Sequence, residues 1–269
     1  LTGMKPEHAL ALFLIPVLSF AGAVLATWSQ RVRDGFFFLI VTLAVFAERL
    51  DANFFSEAWY RGTTRGVQIS LLEIFAFALL VGSLVGNRDG TRSRFWPASL
   101  GLMLLYLLYA AISVVTSQPK LFGAFELSKI VGGILVFLAA AAYIRSRREW
   151  TILLVALGLA VAFEGVWAVK QKLITHLDRV AGTLDHPNSL SMYFCLATPP
   201  LIAAACAGWT RWLRWFCAGC AGLGAIGLLL TVSRAAIPVV AVVGLGAFVM
   251  CASQGLPPRM IIGRTLCAA

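Results

Sequence analysis

The chain has 269 residues, of which 60% are hydrophobic and only 13% are charged. Soluble domains are about 45–50% apolar and about 25% charged, so this composition excludes a disordered chain, a disulfide-stapled secreted module and an ordinary soluble enzyme. The formal net charge is +10, and in so apolar a chain an excess of basic residues first indicates how membrane-spanning helices are oriented.

Long apolar runs predict an all-α fold, a polytopic transmembrane helical bundle, because a bilayer core requires about 20 mostly apolar residues per helix. The nine predicted spans are Ala9–Trp28, Gly35–Ala47, Ile69–Gly86, Ser99–Thr116, Ile130–Ile144, Trp150–Val169, Ser189–Gly208, Trp212–Thr231 and Ala235–Ala252. Gly35–Ala47 is short and continues into charged residues, so an interfacial helix there would leave eight spans. Ile130–Ile144 is also short and extends back naturally through residues 122–127. We expect residues 1–269 to form a single membrane domain, the N-terminal and central part of a longer protein.

The loops after Gln68 form two alternating sets that differ in basic residues. The first set consists of residues 87–98, 145–149, 209–211 and the tail from Ser253. The second consists of residues 117–129, 170–188 and 232–234. With the adjoining helix ends, the first set carries ten arginines against two acids, and the second carries six basic residues against three acids. Because Lys and Arg are enriched in cytoplasmic loops, the second set is predicted to face outwards, which in a bacterium means the periplasm.

Two arginines on neighbouring outward loops are the leading site candidates. Arg179 lies in the polar segment 170–188, and Arg234 lies in the turn that follows the next helical hairpin. The planar guanidinium group stays charged and binds phosphate oxygens through two hydrogen bonds, so two such groups can converge on one anion. The alternative is that both side chains reach lipid headgroups at the membrane surface without further function.

Several neighbouring polar residues have both a functional and a structural interpretation. Asn188 fits a helix N-cap after Pro187. His186 beside an aspartate is either a general base or a solvated loop side chain. Lys170 adds a cation at the start of the segment. Glu164 lies within a predicted span, as does Glu73, and interfacial placement or a partner on the same helix explains each carboxylate most simply.

Two further features have weaker chemical signals. Arg61 and Arg65, with two glycines, make an outward basic cluster, but neither a strand nor a Gly-Lys-Ser/Thr step accompanies them. Cys217 and Cys220 have a C-x-x-C spacing without a second pair, so we interpret them as small core residues and predict no metal site.

The motifs of the second half resemble a known superfamily. Arg179-Val-Ala-Gly-Thr-Leu-Asp-His-Pro-Asn-Ser-Leu, followed by a span and then Leu230-Thr-Val-Ser-Arg-Ala, is similar to the O-antigen ligase and polysaccharide polymerase superfamily. Those proteins typically have an arginine, a Gly-Thr-Phe-like step and a Pro-Asn that opens a helix, then Thr-x-Ser-Arg at the end of the second following helix. The motifs cover residues 122–252, and the earlier spans match only in general pattern.

The resemblance implies a multi-pass inner-membrane glycosyltransferase of cell-envelope polysaccharide or lipopolysaccharide biosynthesis, with the fold of membrane-embedded enzymes that use lipid-linked sugars. Its donor would be an undecaprenyl-pyrophosphate-linked glycan, and its acceptor a lipid or a second glycan. No cofactor, metal or nucleic acid is implied.

Arg179 and Arg234 would bind the pyrophosphate, with His186, Asn188, Lys170 and Arg65 as accessory candidates. The family's large periplasmic loop with a candidate catalytic histidine has no counterpart in these residues, so the catalytic residue is unassigned. A lipid-linked glycan flippase or other transporter, and a non-catalytic subunit of polysaccharide assembly, are the alternative functions.

Overall fold

A computed structural model describes residues 6–56, 66–86, 97, 99–234 and 236–252. The chain is mostly helical and divides into two compact units, Leu1–Trp150 and Thr151–Ala269. The first helices and strands in order are α1 (Pro6–Trp28), α2 (Gln30–Leu43), a 3-10 helix (Ala44–Arg49), β1 (Asp51–Ser56), β2 (Gly66–Ser70) and α3 (Leu71–Val85). They are followed by α4 (Leu100–Thr116), α5 (Lys120–Tyr143), α6 (Arg147–Leu173), α7 (Pro187–Cys206), α8 (Arg211–Leu230) and α9 (Ala236–Ala252).

Within the described residues, four helices, α5 to α8, are long and apolar enough to cross a membrane. Shorter apolar stretches cover Leu14–Trp28, Leu71–Val85, Leu100–Thr116 and Ala236–Gly246. The helical membrane architecture agrees with the sequence prediction, whereas the count of nine spans and the single domain stay predictions. The backward extension of Ile130–Ile144 is confirmed, because α5 begins at Lys120.

A small β-hairpin precedes α3, in a region where only helices and loops were predicted. β1 pairs antiparallel with β2, and the register joins Asp51 to Ser70. The predicted span at Ile69 therefore starts as a strand and becomes helical at Leu71. Ser70 and Glu73 form a reciprocal cap there, in which Glu73 N donates to Ser70 Oγ (3.2 Å) and Ser70 N donates to Glu73 Oε2 (3.0 Å). The Glu73 carboxylate is therefore explained by a partner at the N-cap of its own helix, in agreement with one of the two structural explanations expected for it.

The first unit is built around α3, which contacts α1, α2 and α5, while α4 packs on α5. The close approach of α1 and α3 depends on Gly82, where a Cβ atom would lie 2.4 Å from the Cβ of Ala26. On α4, large apolar side chains such as Leu102 and Tyr109 are 71% exposed. A soluble surface rarely carries so continuous an apolar face, and lipid is its natural solvent.

Asp51→Asn should make the first unit less sensitive to pH. One carboxyl oxygen of Asp51, Oδ1, is buried without a hydrogen-bond partner among the described residues. Burial raises the pKa of Asp51, and the charge of Lys129 partly opposes this rise. The folded state therefore loses stability as the pH rises from the unfolded to the folded pKa of this carboxyl. Thermal unfolding of the full-length protein in detergent should show the melting temperature of the variant rising relative to that of wild type as the pH increases above about 4, the ordinary pKa of an aspartate. A melting-temperature difference that does not change with pH would contradict this assignment.

The second unit packs α7 against both α8 and α9. Glycines bring α6 and α8 together, because a Cβ atom on Gly165 would lie 2.7 Å from the carbonyl oxygen of Leu223. Small residues commonly allow this kind of close approach between membrane helices. Phe194 is fully buried in this core. Cys217 and Cys220 are buried, free thiols of the same cluster, which supports their interpretation as core residues.

The two ends of α8 differ in chemistry. At its N-terminal end, Trp212 and Trp215 are 63% and 70% exposed and alternate with Arg211 and Arg214. Exposed tryptophans next to arginines are typical of a membrane interface. A 20-residue helix is about 30 Å long, close to the thickness of the hydrocarbon core, so α8 is long enough for its two ends to lie at opposite interfaces.

Candidate functional site

Two loops meet at the C-terminal end of α8. The loop between α6 and α7 contributes Val180, whose backbone N–H donates to the carbonyl oxygen of Leu230 (3.5 Å). Arg179 Nε donates to the carbonyl oxygen of Thr231 (3.3 Å), and its Nη2 donates to Asn188 Oδ1 (3.0 Å). Loop residues that are distant in sequence are thereby fixed beside the start of α7. The two loops that carry the predicted arginines are therefore in contact, while their outward orientation stays a prediction.

A cavity of about 770 Å³ opens at this junction. Its lining consists of Arg179, Asn188, Ser191, Met192, Cys195, Val232, Ser233, Arg234, Ala236 and Val239. Both predicted arginines therefore line the cavity, and both are exposed rather than buried. The remaining wall is mainly apolar. The site thus combines two guanidinium groups with an apolar surface, which suits an amphiphile with an anionic head.

The chain matches no family model, no curated protein and no solved structure. The chemistry of the cavity must therefore follow from its own residues. Among the described residues that line it, none is a carboxylate or an imidazole. The two guanidinium groups can bind and neutralise an anion, but the described lining supplies no general base.

Asn188 does not cap α7, contrary to the sequence interpretation. The N-cap is His186, whose Nδ1 accepts a hydrogen bond from the backbone N–H of Asn188 (3.1 Å). The reason is Pro187, which occupies the first helical position and so places the cap one residue earlier. The Asn188 side chain is consequently available to accept from Arg179. His186 serves the helix start, and it is absent from the cavity lining.

The other accessory candidates lie elsewhere. The Nζ atom of Lys170 lies 4.3 Å above the ring centre of Trp167, and Lys170 does not line the cavity. This contact is a cation–π interaction on the surface of α6. Arg65 and its neighbour Arg61 lie outside the described residues.

One face of α7 contributes more to the site than the sequence interpretation assigned to it. Asn188, Ser191, Met192 and Cys195 recur at spacings of three and four, so they lie on one helical face. Counting in steps of three and four from Asn188 would have identified this helical face from the sequence. Cys195 Sγ donates to the carbonyl oxygen of Ala236 at 3.5 Å, which joins α7 to the start of α9.

The turn before α9 has an unusual backbone. Val232 has a φ angle of +54°, in the left-handed region that β-branched residues rarely occupy. Arg234 follows two residues later, after Ser233. Strained conformations of this kind persist where the surrounding structure holds them, often at binding sites. The turn presents Val232, Ser233 and Arg234 to the cavity together.

Glu164 has its partner on the loop that carries Arg179, not at an interface or on its own helix. The side chain is completely buried on α6. Its Oε2 accepts a hydrogen bond from the backbone N–H of Thr183 (3.0 Å), and its Oε1 accepts from the Thr183 hydroxyl. The expectation of an interfacial or intrahelical explanation is therefore wrong. The loop folds back over α6 and brings its own donors to the carboxylate.

Proposed function

We propose that this chain is part of an inner-membrane glycosyltransferase of the O-antigen ligase or polymerase type. It takes a glycan from an undecaprenyl-pyrophosphate carrier at the periplasmic face and transfers it to a lipid or glycan acceptor. The observation that carries the proposal is the shared cavity of Arg179 and Arg234. The order of the sequence motifs around these two arginines supports it independently.

The cavity suits two adjoining parts of the donor, its pyrophosphate and the first units of its lipid. Two guanidinium groups match the oxygens and charge of a pyrophosphate, and arginine forms paired hydrogen bonds with such groups. Met192, Val232 and Val239 supply apolar surface for the first isoprenoid units. The interfacial position gives the pyrophosphate access to water while the lipid tail remains in the bilayer.

The proposed reaction exchanges one glycosidic bond for another. The bond between the anomeric carbon and the pyrophosphate oxygen breaks, and an acceptor hydroxyl oxygen forms the new bond to that carbon. Undecaprenyl pyrophosphate leaves with the bonding electron pair, so negative charge develops on its oxygen. Arg179 and Arg234 stabilise that charge as it forms, which is the usual role of cations positioned at a leaving group. The acceptor proton passes to a base outside the described cavity lining.

Protection of Cys195 tests donor binding, because this thiol lines the same cavity. The full-length protein is prepared with Cys195 as its only cysteine and treated with a maleimide in nanodiscs. Undecaprenyl pyrophosphate should slow the modification by about tenfold at saturation. The half-protecting concentration of undecaprenol should be at least about tenfold higher, since a charged head adds affinity of at least about 1.4 kcal/mol.

The matched variants separate the site from a general lipid effect. Arg179→Ala and Arg234→Ala should each weaken protection by the pyrophosphate lipid. Arg211→Ala removes an exposed arginine at the other end of α8 and should leave protection unchanged. Equal protection by the charged and uncharged lipids, in wild type and variants alike, would reject the proposed donor site.

A further inference from the structure

Helix α6 holds the loop segment that follows Arg179 through two side chains. The first is Glu164, which is fully buried and accepts both hydrogen bonds that Thr183 donates, from its N–H and from its hydroxyl. Thr183 itself is only 7% exposed. Within the described part of the chain, no cation forms an ion pair with this carboxylate. Its two oxygens therefore have their hydrogen-bond partners on the loop.

The second side chain is Gln171, which lies two turns further along the same face of α6. Its Oε1 accepts from the backbone N–H groups of Gly182 (2.8 Å) and Ala181 (3.2 Å). Its Nε2 donates to the carbonyl oxygen of Gly182 (2.8 Å). Gly182 has a φ angle of +66°. Glu164 and Gln171 therefore fix the backbone of residues 181–183 in a left-handed turn.

This segment begins two residues after Arg179. Between them lies Val180, which is fully buried and bonded through its N–H to the carbonyl oxygen of Leu230. Arg179 is consequently attached on its C-terminal side to a short stretch of chain with little freedom. A displaced turn at Gly182 would move the guanidinium away from Thr231 and Asn188.

We propose that Glu164 is a positioning residue for the anion site, acting through Thr183 to keep Arg179 directed into the cavity. What Arg179 binds rests on the proposed function, whereas the positioning itself does not. A carboxylate within a membrane helix is costly unless hydrogen-bonded, and hydrogen bonds to a charged acceptor are stronger than neutral ones. The buried carboxylate and the folded-back loop therefore stabilise each other.

The electrostatic potential at Cys195 provides a test that needs no glycan. In the full-length protein with Cys195 as its only cysteine, the modification rate is measured with an anionic and a cationic methanethiosulfonate reagent of similar size. In wild type the two arginines should favour the anionic reagent. Arg179→Ala should lower the anionic-to-cationic rate ratio by about tenfold, since one charge at roughly 6 Å in water changes each rate about threefold.

Glu164→Gln separates positioning from a simple change of charge. Loss of one negative charge alone would raise the anionic-to-cationic ratio. Loss of positioning instead lowers it, because Arg179 leaves the cavity, and we expect a fall of about threefold or more. Thr183→Val removes the hydroxyl donor while the charge of Glu164 stays, and it should lower the ratio in the same direction. Thr183→Ser should restore the wild-type ratio.

Thr175→Val is the matched control, because Thr175 is an exposed threonine of the same loop. Its hydroxyl donates to the backbone carbonyl oxygen of Gln171 and not to the side-chain amide that holds Gly182. It should leave the ratio unchanged. All rates are measured on monodisperse protein. A wild-type or raised ratio in both Glu164→Gln and Thr183→Val would overturn the proposal, as would an unchanged ratio in Arg179→Ala. Failure of the proposed glycan transfer would leave these ratios as they are, so the two proposals fail separately.

Discussion

Arg179→Ala should lower the rate of glycan transfer by the full-length protein by about 100-fold or more, the usual effect of removing one group that stabilises developing charge. The side chain lines the cavity and is held by Asn188 and the carbonyl oxygen of Thr231. In the proposed reaction its loss takes away a positive charge beside the leaving pyrophosphate, and it also leaves Asn188 without this donor. The measurement is transfer of labelled glycan in cells that express wild-type and variant protein at equal levels.

Arg179→Lys sharpens the same prediction. Lysine keeps the charge but lacks the planar fork, so it cannot make both the Asn188 and the Thr231 contact while binding an anion. Activity between wild type and Arg179→Ala is expected. Arg211→Ala, at the opposite end of α8, should transfer glycan at the wild-type rate. Wild-type transfer by Arg179→Ala at normal expression would remove Arg179 from the mechanism.

Gly182→Ala should destabilise the second unit by about 2–4 kcal/mol, from the left-handed conformation and overpacking together. Gly182 has a φ angle of +66°, and a Cβ atom there would lie 2.2 Å from Glu164 Oε2 and 3.0 Å from Leu190 Cδ1. Both neighbours are fully buried, so neither can move away easily. Thermal unfolding of the detergent-solubilised protein, followed by tryptophan fluorescence, measures the loss.

Gly222→Ala is the corresponding control on α8. A Cβ atom at Gly222 would meet nothing within 4 Å, and alanine is the better helix former by up to about 1 kcal/mol. The melting temperature should therefore stay the same or rise. Equal melting temperatures for Gly182→Ala and Gly222→Ala would show that the turn at Gly182 is not held as tightly as its contacts indicate.

The sequence was most informative where one physical requirement dominates. Long apolar runs predicted the helices α5 to α8, because a chain must satisfy its backbone hydrogen bonds within each segment that crosses lipid. The convergence of Arg179 and Arg234 followed from the alternation of loops along the chain. Both inferences depend on the order of helices and loops along the chain, which the sequence gives directly.

Contacts between distant residues were harder to foresee. The partner of Glu164 is Thr183, and nothing in local spacing says which loop folds back over which face of α6. The pairing of β1 with β2 was missed because these strands are only six and five residues long and carry little periodic signal. The cap of α7 was foreseeable, since Pro187 at the first helical position already assigns the N-cap to His186.

The most direct test of the proposed function is transfer in proteoliposomes that contain only the full-length protein, a purified undecaprenyl-pyrophosphate-linked glycan and an acceptor. We predict that undecaprenyl pyrophosphate is released in equal amount to the glycan transferred, and that the double variant Arg179→Ala/Arg234→Ala releases none above background. Movement of the intact lipid-linked glycan across the bilayer without release of the carrier would contradict the glycosyltransferase proposal and favour a flippase.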